Sequence, residues 1–403
     1  MKNQPLRGRE IRQANEKMIL KIMHRTNPIS QSEVARRTGL QASTVFRIFR
    51  SLEQQNLIRE VDIHKNGRER KGRKPSYYSV NEQVAYATGI DISSYGATLL
   101  LFDFAGTTVG EETVYFTKNV NTEEMSGTII ELINTALRNA GIGVEALLGI
   151  GLGAPGIIDI EKGEVVRYAR FPGMEGYPLK RKIEEQFAVP VYVHNNTSVI
   201  ALAEYRYGRA QGKNSLIAFL IRAGVGGAYI DRGRIFESQG RTAFEAGHMA
   251  VDLSTVSASD NDMLTVEDYI AEDAILKTVQ NEVGKIKNWE DLLFHLEKRD
   301  KEVLNAMNRL VSILFGAVRN IVLLLNPEVI LIISRFRALS QFIAEAVDTY
   351  ITSSFDPKCI DTHKVIPLQY DPVIACRGAA DFVFDGFFET DQRQQNQAAA
   401  LGT

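Results

Sequence analysis

The sequence is poor in cysteine. Cys359 and Cys376 are the only two in 403 residues, which makes no disulfide framework and fits a reducing cytoplasm. Long hydrophobic runs are missing too. No stretch of about 18 uncharged apolar residues occurs, and segments such as Ile321 to Leu325 are too short to span a bilayer. The start, Met1-Lys2-Asn3-Gln4-Pro5, lacks the apolar core of a signal peptide. Net charge is nearly absent: 47 Lys+Arg against 49 Asp+Glu leaves −2. Core-forming material is not scarce. At 44% hydrophobic residues the chain can fill a substantial interior, which excludes global disorder. The length suggests two or three domains at ~150 residues each.

The small net charge hides two unlike parts. Residues 1–80 hold 18 Lys+Arg against 7 Asp+Glu, a net of +11. Residues 81–403 hold 29 against 42, a net of −13. The basic end suits a polyanion, which the acidic remainder would repel.

Within the basic part, Met18, Ile19, Ile22 and Met23 repeat at helical spacing over residues 14–27, and Asn27-Pro28 ends that helix. Ser30-Gln31-Ser32-Glu33 reads as a capping box that opens a second helix through Thr38. After the turn at Gly39-Leu40, Val45, Ile48, Phe49 and Leu52 mark the apolar stripe of a third helix. The pattern is a helix-turn-helix. The opposite face of the third helix carries Ser43, Arg47 and Arg50, with Thr44 at its edge. Arg can bond guanine edges or phosphates, and Ser and Thr can bond either. Leu57 to Val61 and Tyr77 to Val80 read as strands around a basic loop with Arg68, Arg70, Lys71, Arg73 and Lys74, which makes a wing. Gly72-Arg73-Lys74-Pro75 either enters a minor groove or touches phosphates alone.

From residue 84 the pattern changes. Three strand-like runs (Tyr86 to Ile92, Ala97 to Phe104, Thr107 to Phe116) precede a helical stretch, Thr122 to Ala140, and a strand at Leu148 to Leu152. A second set begins at Ser215 to Ile221 and leads through the helical stretch Val303 to Leu325 to a strand at Val329 to Ile333. Two halves of like plan imply a duplicated α/β domain with a cleft between lobes. Asp391 to Thr403 is rich in Gln and Ala and reads as a disordered tail.

Five motifs then occur in order: Gly149-Ile150-Gly151-Leu152-Gly153-Ala154-Pro155-Gly156, His194-Asn195-Asn196, Gly224-Val225-Gly226-Gly227, Phe244-Glu245-Ala246-Gly247-His248-Met249, and Asn326-Pro327-Glu328-Val329-Ile330. In this order and spacing they resemble the ROK family of bacterial repressors and sugar kinases, over nearly all of residues 10–390. The resemblance implies an actin-like, ribonuclease-H-like α/β fold of two lobes. It divides the chain into a winged helix-turn-helix at 1–80, an effector-binding and oligomerisation domain at 84–389, and a tail at 390–403. The fused winged helix points to the repressor branch.

Matched residue by residue, the family's sugar ligands fall on Asn195, Asn196, Glu245, His248 and Glu267. Gly153 to Gly156 would line the same cleft or form a plain strand–helix turn. The kinase elements are altered. Asp91-Ile92-Ser93-Ser94-Tyr95 stands for the kinases' Asp-x-Gly-Gly-Thr, Arg222-Ala223-Gly224 for Gly-Thr-Gly, and Ile333-Ser334-Arg335 for the adenosine-side glycines. Asn195-Asn196 replaces Asn-Asp, and an amide cannot act as the general base. His194 is the nearby titratable alternative. The positions of the family's zinc-binding cysteines hold Ala258, Asp260 and Thr265, so no zinc and no other cofactor is expected. The resemblance implies a cytoplasmic transcriptional regulator of carbohydrate uptake or metabolism genes. Its partners would be operator DNA, a sugar or sugar derivative, and a second copy of itself in a homodimer or larger assembly. An active kinase with a fused DNA-binding head, or a regulator that answers to a protein partner, are the alternatives.

Overall fold

The computed structural model describes residues 8–62, 76–117, 120–168, 171, 173–238, 241–242, 244–251, 264–356 and 363–401. The head comprises α1 (Gly8–Arg25), β1 (Ile29–Ser30), α2 (Gln31–Thr38), α3 (Ala42–Gln54), β2 (Ile58–Val61) and β3 (Tyr77–Val80). Val45, Ile48, Phe49 and Leu52 of α3 are buried, as their spacing requires, against Ile19 and Met23 of α1 and Val34 of α2. The strands form one small antiparallel sheet, with Ile58 opposite Val80 and Ile29 opposite Tyr78. The capping box forms only in part. Ser30 Oγ accepts the Glu33 amide at 3.3 Å, but the Glu33 carboxylate turns to Arg36 and Arg37. Two guanidiniums outcompete one backbone N–H for it.

The first lobe contains β4 (Tyr86–Ser93), β5 (Gly96–Asp103), β6 (Thr108–Tyr115), α4 (Thr122–Ala140), β7 (Leu147–Ala154), β8 (Ile157–Asp159), β9 (Glu164–Arg167), α5 (Leu179–Phe187) and β10 (Val191–Asn195). Its sheet runs in the order β10-β7-β4-β5-β6. Next comes α6 (Asn196–Arg206). The second lobe contains β11 (Ser215–Ile221), β12 (Val225–Asp231), β13 (Arg234–Ile235), α7 (Val266–Ile270), α8 (Glu272–Glu282), α9 (Trp289–Glu297), α10 (Lys301–Leu325), β16 (Val329–Ser334), α11 (Arg337–Ser354), β17 (Lys364–Gln369) and α12 (Pro372–Leu401), while β14 (Glu237–Ser238) and β15 (Arg241–Thr242) join β8 and β9 of the first lobe in a small sheet. The sheet of the second lobe runs β13-β12-β11-β16-β17.

The two sheets repeat one plan. In each, the first strand pairs antiparallel with the next strand and parallel with one reached through helix: β4 with β5 and β7, β11 with β12 and β16. The duplication expected from the sequence is thus present in the topology. α6 packs against strands of both sheets, and α12 crosses back onto β4 and β7.

The glycine motif of β7 serves this packing. A Cβ on Gly151 would lie 2.0 Å from the Ala379 carbonyl oxygen of α12, and one on Gly153 would lie 2.8 Å from Val199 Cγ2 of α6. β7 continues into β8, so the turn after it joins two strands and not a strand and a helix.

α10 has the length and apolar composition of a membrane span. Its sequence is interrupted by Arg309 and Arg319, and its face with Met307, Leu310, Leu314 and Val318 fills the core of the second lobe. α12 continues through Leu401, into the stretch read from composition as a tail. Ala and Gln both favour helix, which accounts for its helical backbone.

Candidate effector cleft and nucleic-acid interface

α3 stands at the surface of the head. Ser43, Arg47 and Arg50 are exposed, and Thr44 is half-buried at the edge. Neither Arg47 nor Arg50 is held in an ion pair with a described residue, which leaves both guanidiniums available to a partner. Arg68, Arg70, Lys71, Arg73 and Lys74 lie outside the described residues.

Phe46 is a further member of this face, one that residue type alone does not flag. It is 54% exposed. It lies three residues after Ser43 and four before Arg50, the spacings that bring side chains together on a helix. Beside Val45 it looks like core, and only its helical phase signals otherwise.

A cleft of about 900 Å³, open to solvent, lies between the lobes. It gathers Asn195, Asn196, Glu245, His248 and Glu267, together with Ser93, Ser94, Arg167 and Arg222. Pro155 and Gly156 line it as well. Gly153 does not; it is buried where β7 meets α6.

Each expected ligand has its own geometry. Asn195 is largely committed to the fold. Its Oδ1 accepts the Thr197 and Ser198 amides at 2.9 and 3.3 Å and so caps α6, while Nδ2 donates to the Gly156 carbonyl at 2.8 Å. One Nδ2 hydrogen remains for a ligand. Asn196 is half-buried at the cleft, with Oδ1 3.5 Å from Thr197 Oγ1.

Glu267 is fixed. Its Oε2 accepts the Val225 amide at 2.9 Å, which leaves Oε1 for a ligand. A Cβ on Gly224 would lie 2.6 Å from that Oε2, so glycine there is what lets the carboxylate approach. Burial pushes the Glu245 carboxyl above its ordinary range; His248 opposes this and the Glu267 charge adds to it. His248 is exposed at the end of a short 3-10 turn. The set offers carboxylate acceptors and amide donors in one cleft, which suits a polyhydroxyl ligand.

His194 faces away from the cleft. Its Nδ1 accepts the Asn195 amide at 2.9 Å, Nε2 lies 3.0 Å from Glu237 Oε1, and its ring stacks on Phe382 at 5.0 Å. Nδ1 is therefore an acceptor and the proton sits on Nε2, directed at Glu237.

The three altered kinase loops meet one another. Asp91 is buried, 3.4 Å from Arg222 Nη1 and hydrogen-bonded by Tyr370 Oη, and the Arg222 guanidinium lies 4.3 Å from the Tyr370 ring centre. Burial raises the Asp91 carboxyl pKa against the pull of Arg222 and Tyr370. Arg335 grips the buried Glu272, with Nε 3.0 Å from both oxygens, and covers the Tyr95 ring at 4.8 Å. Cations of the second lobe thus meet an acid and an aromatic ring of the first.

The donors for zinc do not fit. Ala258 and Asp260 lie outside the described residues, and Thr265 Oγ1 is spent on Asp268 at 2.8 Å in the capping box of α7. Cys376 is buried, its Sγ donating to the Thr98 carbonyl at 3.1 Å. Among the described residues no group of three or more His, Cys, Asp and Glu is placed to hold a metal ion.

Comparison with known proteins gives this architecture its class. The ROK family profile matches residues 87–385, and a winged helix-turn-helix DNA-binding profile matches residues 12–59. The chain belongs to the ROK family. It is 24% identical over 379 residues to the xylose repressor of Bacillus spizizenii, covering 94% of this chain and 97% of that one. It is 26% identical over 245 residues to the DNA-binding transcriptional dual regulator NagC of Escherichia coli, covering 60% and 58%. Among solved structures, a ROK family transcriptional regulator described as a homologue of the E. coli MLC protein superposes with a TM-score of 0.77 at 17% identity, over 94% of this chain and 98% of that one. A ROK family glucokinase from Streptomyces griseus superposes with a TM-score of 0.63 at 18% identity, over 74% and 99%. The regulator covers the head as well as the lobes, whereas the kinase covers a smaller share of this chain.

Proposed function

We propose that this protein is a sequence-specific DNA-binding transcriptional regulator, a repressor of carbohydrate uptake or metabolism genes, controlled by a sugar or sugar derivative in the cleft. The observation that carries the reading is a pairing within one chain. A winged helix-turn-helix, with arginines on its third helix that form no ion pair among the described residues, is seated on a two-lobed domain whose cleft collects five matched polar residues. The similarity to repressors over almost the whole chain supports it. DNA is read in the cytoplasm by a homodimer or larger assembly, since one head reads one half-site.

Phosphoryl transfer is not part of the proposal. Asn196 puts an amide where the kinases carry the aspartate base, His194 points at Glu237, and the altered loops hold ion pairs. Sustained ATP turnover on hexoses in a coupled assay, abolished by Glu245→Ala, would overturn this.

The central test is a fluorescence-anisotropy titration of the full-length protein on its own promoter, with a thermal-shift screen of sugars beside it. Salt-sensitive, sequence-selective binding that a stabilising sugar modulates is the expected result. Selective DNA binding with no stabilising sugar would favour a protein partner as the controlling ligand.

Two further outcomes follow from the geometry. Phe46 is positioned to touch a thymine methyl, a contact in which apolar side chains read the major groove. Replacing one operator thymine per half-site with deoxyuridine should cost about 0.8 kcal/mol per half-site for the lost methyl. The same replacement should cost nothing further in Phe46→Ala; equal losses in both proteins would remove Phe46 from the reading surface. In the cleft, Glu245 accepts hydroxyl hydrogens most strongly as a carboxylate, and its pKa is raised. Sugar affinity should therefore fall as pH is lowered through that raised pKa, and Glu245→Gln should flatten this dependence in calorimetric titrations.

A further inference from the structure

The helix that opens at the cleft ends beside the head. α6 begins at Asn196 and ends at Arg206. Its 11 residues span roughly 16 Å at 1.5 Å per residue. Thr197 to Glu204 are all buried, with strands of both sheets on one side and α12 on another. Such a helix has no free face and shifts as a rod when the lobes change angle.

Both ends of the rod are tied by side chains. At the cleft end, Asn195 caps the helix and holds the Gly156 carbonyl of the cleft wall at 2.8 Å. At the far end, Arg206 Nη1 donates to Asp381 Oδ2 at 2.6 Å and Nη2 to Asp385 Oδ2 at 2.5 Å, both on α12. Tyr207 Oη donates to Asp381 Oδ1 at 2.8 Å. The other oxygen of Asp385 receives two cations of α1: Lys21 Nζ at 3.0 Å and Arg25 Nη2 at 2.9 Å. One carboxylate thus holds the cleft helix with one oxygen and the DNA-binding head with the other.

The joint is shielded enough to matter. The side chains of Arg206, Asp381 and Asp385 are 17%, 6% and 20% exposed, so solvent screens them less than a surface pair. Burial alone would raise the Asp385 pKa, but Arg206, Arg25 and Lys21 outweigh it and keep the carboxyl below its ordinary range. Other contacts of the head include Lys21 Nζ with Glu389 Oε1 at 2.9 Å, His24 Nδ1 donating to the Phe104 carbonyl at 2.9 Å, and ring packing, with the His24 ring 4.2 Å from that of Phe384 and 5.7 Å from that of Phe388; none of these reaches α6. Apolar contact tolerates sliding, whereas a guanidinium fork spanning two carboxylates is directional.

We propose that Arg206 and Asp385 form the joint through which the effector cleft sets the seating of the DNA-binding head. Arg206 is a positioning residue in this scheme; it touches neither DNA nor effector. The inference rests on the effector reading of the cleft, and its first test is independent of any ligand.

The full-length protein serves in both arms. In the first, Asn195→Asp keeps an acceptor for the cap but sets a carboxylate oxygen against the Gly156 carbonyl, which disturbs the cleft without ligand. Hydrogen–deuterium exchange of the α1 amides should rise with this change in the wild-type background. It should show no further response in Arg206→Met, and Arg206→Lys should restore part of it. Melting curves confirm that each variant is folded. An unaltered response of α1 in Arg206→Met, or no response in the wild-type background, overturns the joint. In the second arm, D-xylose and N-acetylglucosamine are the probes. A sugar that stabilises the wild type should change operator affinity roughly tenfold there, but about twofold or less in Arg206→Met, with its own affinity nearly unchanged. A full operator response in Arg206→Met overturns the joint. Failure of both sugars to bind counts against the sugar reading, and the first arm then decides the joint alone.

Discussion

Arg47→Ala should lower operator affinity by about 1–3 kcal/mol, roughly 5- to 150-fold, and relax selectivity at one position per half-site. The reason is placement. Arg47 is exposed on the face of α3 opposite Val45, Ile48, Phe49 and Leu52, and no described acid neutralises it. A residue that reads a base loses affinity for the cognate sequence and little for random DNA. One that meets phosphate alone loses both alike and lowers the salt dependence. Anisotropy titrations on operator and scrambled duplexes at several salt concentrations separate the two outcomes. Uniform loss on both duplexes would move Arg47 from base reading to backbone contact.

Gly151→Ala should destabilise the protein by about 1–3 kcal/mol or more, although alanine is the smallest possible addition. The new methyl would sit 2.0 Å from the Ala379 carbonyl oxygen, and both partners are backbone. A flexible side chain could rotate away, but a strand and a helix must separate. α12 also carries Asp381 and Asp385, so its displacement would loosen the head too. A lower melting temperature together with weakened operator binding is expected. An unchanged melting temperature would mean that the motif is not held by packing. The glycines of β7 resemble a ligand loop in sequence, but Gly151 and Gly153 let two helices approach.

Much of the head is legible in the amino-acid order alone. Apolar spacing defines which face of α3 is buried, because helical periodicity leaves few alternatives once the stripe is known. Phe46 escapes for a related reason: an aromatic residue next to a buried valine reads as core until its phase on the helix is considered. Glu33 escapes differently. The S-x-x-E spacing is right for a reciprocal cap, but Arg36 and Arg37 offer its carboxylate stronger, charged donors.

Motif matching identifies Asn195, Asn196, Glu245, His248 and Glu267, which come from three separate segments of the chain and line one cleft. It cannot apportion their hydrogen bonds. Asn195 spends most of its amide on the cap and on Gly156, while Glu267 keeps one oxygen free. Those assignments depend on where neighbouring backbone groups fall, and spacing along the chain does not encode that.

The sequence by itself determined the division into a basic head and an acidic two-lobed remainder, the family, and the residue types at the cleft. Charge, periodicity and motif order are local properties, readable along one dimension. The tertiary structure alone decided that Arg222 meets Asp91, that Gly151 faces the backbone of α12, and that Arg206 and Lys21 share Asp385. Each of these contacts joins residues more than a hundred positions apart, and only the packing of strands and helices brings them within reach.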